Sequence, residues 1–470
     1  MLMGHYRKRN GEVFMLEFYE DYFKPEIREG FFIDTTMKMV WAAILETLAR
    51  VSAVCSKYDI QWYCAYGTLL GAIRHEGFIP WDDDMDIWVM RKDYNRMMEV
   101  LPKELPGEYK ILSPLTDDGY DLFHCCINNG RTITANPDRL REYHGCPFTV
   151  AIDVFPLDKV PRDENNGKTQ LQMFSLISDA ALAARSLGLD EITGQKKADT
   201  MSDLLQVKET MENLYGYHFN DAVFVGDDYR LMSSEFWKCA NCIAMLYDDD
   251  DFDYYANFYD YKRFGSKFEK EYFSDVYSAD FENVMLPIPS GYDELLKKIY
   301  GDYMTRVKGG GTHEYPFYAK QLREARETVK RLENSKPTTD NIFPMNWEEM
   351  ISGKKVVLFE DGISLYTEHG QKALDKLNEV LCLFSECSDR CVLWWRPQSQ
   401  IRTALGLLSE ELLEKYNEIV DKYLADSYGI YDMEMDDEIA LSRCDAYYGE
   451  KNTTVNLLKG KVPIMIEAIL

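Results

Sequence analysis

Between residues 36 and 58 the apolar positions Val40, Ile44, Leu48, Val51 and Cys55 recur at three- and four-residue steps, the period of an amphipathic helix. The pattern then changes. Residues 60–66 (IQWYCAY) form an aromatic-rich run of strand type, Gly67 ends it, and TLLGAIRH predicts a short helix. A second strand is expected over residues 85–90 with a helix over 92–101 behind it. Further strands are expected over 109–112, 122–127 and 148–155, which makes an α/β region with a mixed sheet. Residues 165–247 are mostly helical in pattern, and a charged helix is expected over 315–333.

Residues 334–354 (NSKPTTDNIFPMNWEEMISGK) have the Pro, Asn and Thr content of a linker. Beyond them KVVLF, GQKALDKLNEVLCLF, CVLWWRP and SEELLEKYNEIVDKYL alternate as strand, helix, strand and helix, and shorter elements follow. Such alternation predicts a small parallel, Rossmann-like sheet flanked by helices. The expected organisation is a domain over 1–333, a linker over 334–354 and a second domain over 355–470. No internal repeat or low-complexity tract is present.

Composition narrows the function. With a net charge of −27 over 470 residues, neither a nucleic-acid backbone nor an anionic lipid surface is an expected partner. The N-terminus has basic residues but no apolar segment behind them, and no transmembrane window of about 18 apolar residues is expected. A cytoplasmic location follows as the expectation, with room for peripheral attachment at the inner face of a membrane. Eleven cysteines without regular spacing suit reduced thiols. Cys239 and Cys242 have metal-like spacing but no second pair to complete a site.

The chemistry concentrates in WDDDMDIWVM, residues 81–90. Unpaired carboxylates beside an apolar run are costly to desolvate, so something must offset their charge. Alternation along a strand puts Asp84 and Asp86 on one face with Trp88, and Met85, Ile87 and Val89 on the other. Asp82 joins the pair if the chain is extended that far back, and Asp83 points away. Two carboxylates one pleat apart can chelate a hard divalent cation such as Mg2+. An EF-hand is excluded, because Ile87 stands where that loop needs glycine and Asp93 where it needs glutamate; a solvated acidic turn is the other alternative. Upstream, Gly67 and Thr68 sit where a strand gives way to a helix, with backbone N–H groups suited to a phosphate. A third acid, Asp153, alternates with Ile152 and Val154 in FTVAIDVFPLD. Two acids on one strand and a third on another suit metal-dependent nucleotidyl or phosphoryl transfer. A second acidic cluster, DDDDFD at residues 248–253, has no alternating apolar strand after it and is expected to be a solvated loop or helix end.

YGTLLGAIRHEGFIPWDDDMDI, IDVFPLD and LPIPSGYDELLKKIYGDYM closely resemble the LicD/fukutin-type phosphotransferases, relatives of the nucleotidyltransferase fold, in ordered blocks across about residues 30–315. The resemblance implies a nucleotidyltransferase-like mixed sheet with helical additions. It also implies transfer of a phospho-alcohol (phosphocholine, phosphoribitol or phosphoglycerol) from a CDP-activated donor to a glycan or lipid-linked glycan hydroxyl, releasing CMP. Carried over by motif, Asp84, Asp86 and Asp153 are catalytic metal ligands for Mg2+ or Mn2+, with Asp82 alongside. Gly67 and Thr68 match the phosphate-binding turn, Arg74 and His75 a basic dyad, and Tyr300, Gly301 and Asp302 a late motif read as donor-binding. The zinc-binding cysteines of animal members are not carried over, since Cys125, Cys126 and Cys146 do not reproduce their spacing. The C-terminal part resembles the nucleotide-binding half of a two-Rossmann glycosyltransferase or teichoic-acid glycerophosphotransferase through WWRP (Trp394 to Pro397) and the segment from Cys444 to Ile466. A docking or regulatory role is the alternative there. For the whole chain the alternatives are a nucleotidyltransferase making an activated sugar and a non-catalytic sugar-phosphate-binding scaffold.

If the linker expectation is right, limited proteolysis cuts between Asn334 and Lys354 and leaves two resistant fragments. Cleavage confined to residues 165–260 would show that the boundary lies elsewhere.

Overall fold

The apolar run IWVM of the acidic stretch lies at the heart of a seven-stranded mixed sheet. This computed structural model describes residues 3–466 apart from 5, 10, 11, 20, 189–193, 249–250, 308–314, 334–346, 427 and 433–436. Most of the expected linker, and Asp249 and Asp250 of the second acidic cluster, therefore lie outside the described residues. The strands are β1 Trp62–Cys64, β2 Asp86–Met90, β3 Lys110–Leu112, β4 Cys125–Asn128, β5 Ala151–Pro161, β6 Phe252–Ala256 and β7 Phe268–Glu269. Their spatial order is β7-β6-β5-β2-β1, with β4 pairing β5 and β3 pairing β4. β2 and β5 run parallel, whereas β1, β4 and β6 pair antiparallel to them. A parallel pair needs a long crossover, which here begins with helix α3 (Arg91–Glu104); helix α2 (Tyr66–Arg74) and α3 pack against β2, and helix α1 (Thr35–Lys57) precedes β1 in the chain.

On one face of the central pair Ile87, Val89, Ile152 and Val154 are fully buried. The first helix departs from the one-sided stripe expected for it. Trp41, Ala42, Ala43, Leu45 and Thr47 are buried along with Val40, Ile44 and Leu48, so α1 is enclosed on nearly every side. It is also long and apolar enough, by length and composition alone, to cross a membrane, which the sequence expectation had excluded. Its apolar window is 72% buried, as in the core helix of a folded domain.

Helices α4 (Glu164–Leu187), α5 (Gly194–Tyr215) and α6 (Tyr229–Ala244) build their own core around Phe174, Phe236 and Trp237. The second acidic cluster does run into a strand, β6, contrary to expectation. Asp251 and Asp253 pair with Arg162, so the acids there have a salt-bridge role. Helix α7 (Phe258–Phe264) follows β6. A hairpin of β8 (Val276–Phe281) and β9 (Val284–Pro289) comes next, with Met3–Gly4 beside β9, and then helix α8 (Tyr292–Tyr300).

The chain divides into two compact units, residues Met1–Tyr22 with Met39–Gln321, and residues Phe23–Lys38 with Leu322–Leu470. In the second unit β10 (Lys355–Glu360), β11 (Cys391–Trp395), β12 (Ile430–Tyr431), β13 (Ala446–Gly449) and β14 (Ile464–Ile466) are all parallel, in the order β12-β11-β10-β13-β14. That is the doubly wound arrangement the alternating pattern predicts. This unit also takes in a small hairpin, Glu26–Arg28 with Phe31–Ile33, and Phe32 packs against its core of Tyr366, Leu374 and Trp395. Nothing in the local sequence announces that partnership.

One buried polar cluster ties the first unit together. Arg91 of α3 donates Nε and Nη2 to the Asp158 carboxylate of β5 at 2.6 and 2.8 Å, and Nη1 to Asn241 of α6 at 3.0 Å. Truncating one member of a buried pair strands the other charge. Arg91→Ala is expected to cost about 3–5 kcal/mol in denaturant unfolding; a loss below about 1 kcal/mol, the surface-pair range, would show that the cluster is not desolvated.

Candidate active site

The register of β2 against β5 sets the centre of the site. Asp86 opens β2 and stands opposite Asp153 in the parallel ladder, and residues in register on neighbouring strands project from the same face. Across β5, Asp153 is opposite Cys126 of β4. Burial, and then the Asp153 carboxylate, pushes the Cys126 thiol well above its ordinary range. Two residues further along, the same face carries Trp88 opposite Phe155 and Tyr63. A row of acids thus borders an aromatic layer.

The ladder begins at Asp86, not two residues earlier. Asp82, Asp83 and Asp84 lie in the irregular segment before it, so strand alternation does not place Asp84 as expected. Electrostatics still gathers these acids. Burial holds the Asp86 carboxyl well above the usual carboxylate range, and the next causes in order are Asp84, Asp153, Asp82 and Asp260. The segment is held by its backbone and by its odd member. Trp41 Nε1 donates to the Asp82 carbonyl at 3.0 Å, and Asp83, 2% exposed, accepts the Phe317 N–H at 2.7 Å. Asp83 is therefore tied to the backbone of residue 317.

Helix α2 meets the acids at its first turn. Thr68 Oγ1 accepts the Asp86 N–H at 2.8 Å, and the Ala65 N–H donates to the Asp86 carbonyl at 3.0 Å. A Cβ on Gly67 would come within 2.7 Å of Asp82 Oδ2, so glycine at this position admits the carboxylate. Ala65 at the N-cap supplies no side-chain acceptor, and amides at such a helix start are suited to an anion. At the other end, Arg74 Nη1 donates to the Tyr303 carbonyl at 2.8 Å and Nε to His75 Nδ1 at 3.4 Å, which ties α2 to the loop after α8. His75 closes α2, its N–H on the Gly71 carbonyl. Tyr300 ends α8 beside the acids. Its phenol is raised by burial first and then by Asp86, Asp82 and Asp84, with Arg74 opposing. Gly301 breaks the helix at φ 67°, and Asp302 accepts the Thr305 hydroxyl at 2.6 Å, a local turn contact.

Two residues at the site, Asp260 and His124, were not legible in the sequence. Asp260 of α7 accepts the Tyr66 hydroxyl and adds to the charge felt by Asp86. Burial raises the Asp260 carboxyl, against the opposing effects of Tyr66, Arg263 and His124. His124 Nε2 lies 3.6 Å from Asp153 Oδ2, an ion pair when the ring is protonated, and its ring is 4.7 Å from that of Phe155. No local motif surrounds Asp260 or His124.

Residues 59–119, which contain the α2 turn and the acidic segment, match the family model described as LicD/FKTN/FKRP, nucleotidyltransferase domain. Over 279 residues the chain is 26% identical to the lipopolysaccharide cholinephosphotransferase LicD of Haemophilus influenzae, covering 57% of this chain and 91% of that protein. The match to that nucleotidyltransferase domain lies within the first unit. Uncharacterized proteins of Rickettsia typhi and Rickettsia prowazekii are 43% and 46% identical over 69 and 61 residues, and the chain spans 22% and 23% of their lengths.

The acid cluster suits a divalent cation in charge and donor type. Hard carboxylate oxygens crowd a half-buried Asp86, and a cation would relieve that crowding. Among the described residues no group of three or more His, Cys, Asp or Glu is already arranged to hold a metal ion. The fit therefore rests on electrostatics.

The second unit differs. Its strand order reverses between β10 and β13, where folds of this kind hold their ligands. There Glu450 Oε1 accepts the Ser364 hydroxyl at 2.6 Å and the Leu365 N–H at 3.0 Å, a carboxylate of the chain itself at the start of helix α9 (Ile363–His369). Asp361 accepts Trp395 Nε1 at 2.7 Å, and Asp432 accepts Trp394 Nε1 and Arg396 Nε, each at 3.1 Å. The WWRP residues thus hold internal acids.

Because burial and neighbouring carboxylates disfavour ionised Asp86 in the folded state, stability falls as pH rises above the unfolded carboxylate value of about 3.9. In chelator at pH 7, Asp86→Asn is expected to raise Tm by about 2–4 °C per kcal/mol of repulsion relieved, and the gain should vanish near pH 4. A variant no more stable than the parent at pH 7 would show that the acids are not crowded.

Proposed function

We propose that this chain is a metal-dependent phosphotransferase that moves a phospho-alcohol from a CDP-activated donor to a hydroxyl of a glycan or lipid-linked glycan, releasing CMP. The observation that carries the proposal is the register of Asp86 against Asp153 on adjacent parallel strands, with Asp84 and Asp82 gathered on Asp86. The relation to the Haemophilus influenzae cholinephosphotransferase over 91% of that protein supports the reaction class.

In this reading Asp84, Asp86 and Asp153 hold Mg2+ or Mn2+, with Asp82 alongside. When bound, the cation offsets negative charge on the donor diphosphate and the departing CMP. The Gly67 and Thr68 amides hold a donor phosphate at the start of α2, in the manner of helix N-termini. Arg74 keeps the loop after α8 in place, and Tyr300 walls the donor side of the acid cluster. The acceptor hydroxyl attacks the phosphorus that bears the alcohol. Its proton passes to the Asp153 carboxylate as the bond from phosphorus to the CMP oxygen breaks.

The test is incubation with CDP-choline, CDP-ribitol and CDP-glycerol, with lipopolysaccharide and teichoic-acid precursors as acceptors, followed by chromatography and mass spectrometry. One donor is expected to yield CMP and a correspondingly heavier acceptor, with no pyrophosphate and no turnover in chelator. A general base contributes about 10²–10⁴-fold, so Asp153→Asn should lower kcat by that factor and leave donor KM nearly unchanged. Pyrophosphate release from a nucleoside triphosphate and a sugar phosphate, with every CDP-alcohol inert, would overturn the proposal.

A further inference from the structure

Tyr66 is the first residue of α2, and its backbone is left-handed, with φ 40°. A bulky side chain takes that conformation when its surroundings impose it. Here the ring lies edge-on to Trp88 and to Phe155, 5.0 Å from each, and the hydroxyl donates to Asp260, 194 residues away in sequence. Asp260 is itself anchored. Its N–H donates to Asn257 Oδ1 at 3.3 Å, and Asn257 Nδ2 donates to the Pro156 carbonyl of β5 at 3.2 Å. The start of α2 is therefore gripped twice. Thr68 Oγ1 takes the Asp86 N–H from β2, and the Tyr66 hydroxyl reaches α7. Between these grips lies Gly67, backed against Asp82.

We propose that Tyr66 and Asp260 are a positioning pair whose hydrogen bond holds the left-handed turn that aims the Gly67 and Thr68 amides at the donor phosphate. The inference rests on the phosphotransferase reading above. Asp260 acts through Tyr66 on the turn. Its Oδ2 accepts the tyrosine hydroxyl.

Three variants test the pair. Tyr66→Phe removes the hydroxyl and keeps the ring, Asp260→Ala removes the acceptor, and Asp260→Asn keeps an acceptor oxygen. Hydrogen–deuterium exchange over residues 65–71, measured on the full chain in chelator, needs no substrate. A hydrogen bond to a charged group is worth enough for a change of about tenfold. Exchange in this segment is therefore expected to quicken by about tenfold in Tyr66→Phe and Asp260→Ala, with Asp260→Asn close to the parent and exchange over residues 85–90 unchanged. With the active CDP-alcohol, donor KM should rise by about tenfold in the same two variants, kcat should hold within about threefold, and Asp260→Asn should rescue KM. Unchanged exchange in Tyr66→Phe and Asp260→Ala overturns the proposal. So does faster exchange without a change in KM, which would make the bond purely structural. Loss of kcat in both Asp260 variants beside a silent Tyr66→Phe also overturns it, because Asp260 would then act at the acid cluster directly. If the parent protein turns over no CDP-alcohol, the functional reading fails and the aiming role falls with it, while the exchange result still decides whether the pair holds the turn.

Discussion

The parallel pairing of β2 and β5 is the constraint on which the site depends. It fixes Asp86 beside Asp153 at the spacing of neighbouring strands, with buried aliphatic side chains on the opposite face. Like charges so close in a sheet are destabilising unless a ligand or a proton relieves them. The chain accepts that cost because both strands are secured elsewhere. The Arg91–Asp158–Asn241 cluster locks the far end of β5 to α3 and α6, and β4 and β6 flank β5 on its other edge. Strain kept at a site and offset by a rigid surround is what a charge-handling centre requires.

Around this pair the chain assigns its acids to two kinds of work. Asp83 and Asp158 are buried and matched, one by a backbone N–H and the other by a guanidinium, and they hold segments in place. Asp82, Asp84 and Asp153 all act electrostatically on Asp86, whose carboxyl burial and these neighbours raise. The polar groups of α2 fall between the two kinds. Thr68 supports Asp86 through its N–H, and Gly67 leaves room for Asp82, so the same turn that suits a phosphate also builds the acid cluster.

The second unit shows the contrast within one chain. Its parallel sheet has the topology of a nucleotide-binding fold, yet the acids at the reversal point are satisfied by the unit's own groups. A carboxylate at the start of α9 competes electrostatically with any phosphate there. Fold and ligand chemistry are thus separable in this unit, and its topology alone does not argue for a second catalytic centre.

The elements of the site follow from sequence wherever one local pattern decides them. IWVM after a run of acids reads as a strand with one buried face, and YGTLLGAIR reads as a turn into a helix. Asp153 between Ile152 and Val154 reads as an acid on an otherwise buried strand. Each rests on side-chain alternation or helix-start chemistry, which neighbouring residues settle among themselves. The all-round burial of α1 could not be read this way, because a stripe of one period does not reveal how many partners will cover it. The start of β2 at Asp86 is set by which β5 residues come into register. The placement of Phe32 in the second unit, and of His124 and Asp260 beside the acids, was likewise decided by long-range packing. Sequence determined which residues carry the charge and which segments carry the residues. Tertiary structure decided which charges meet, because residues far apart in the chain are brought together by strand register and helix docking.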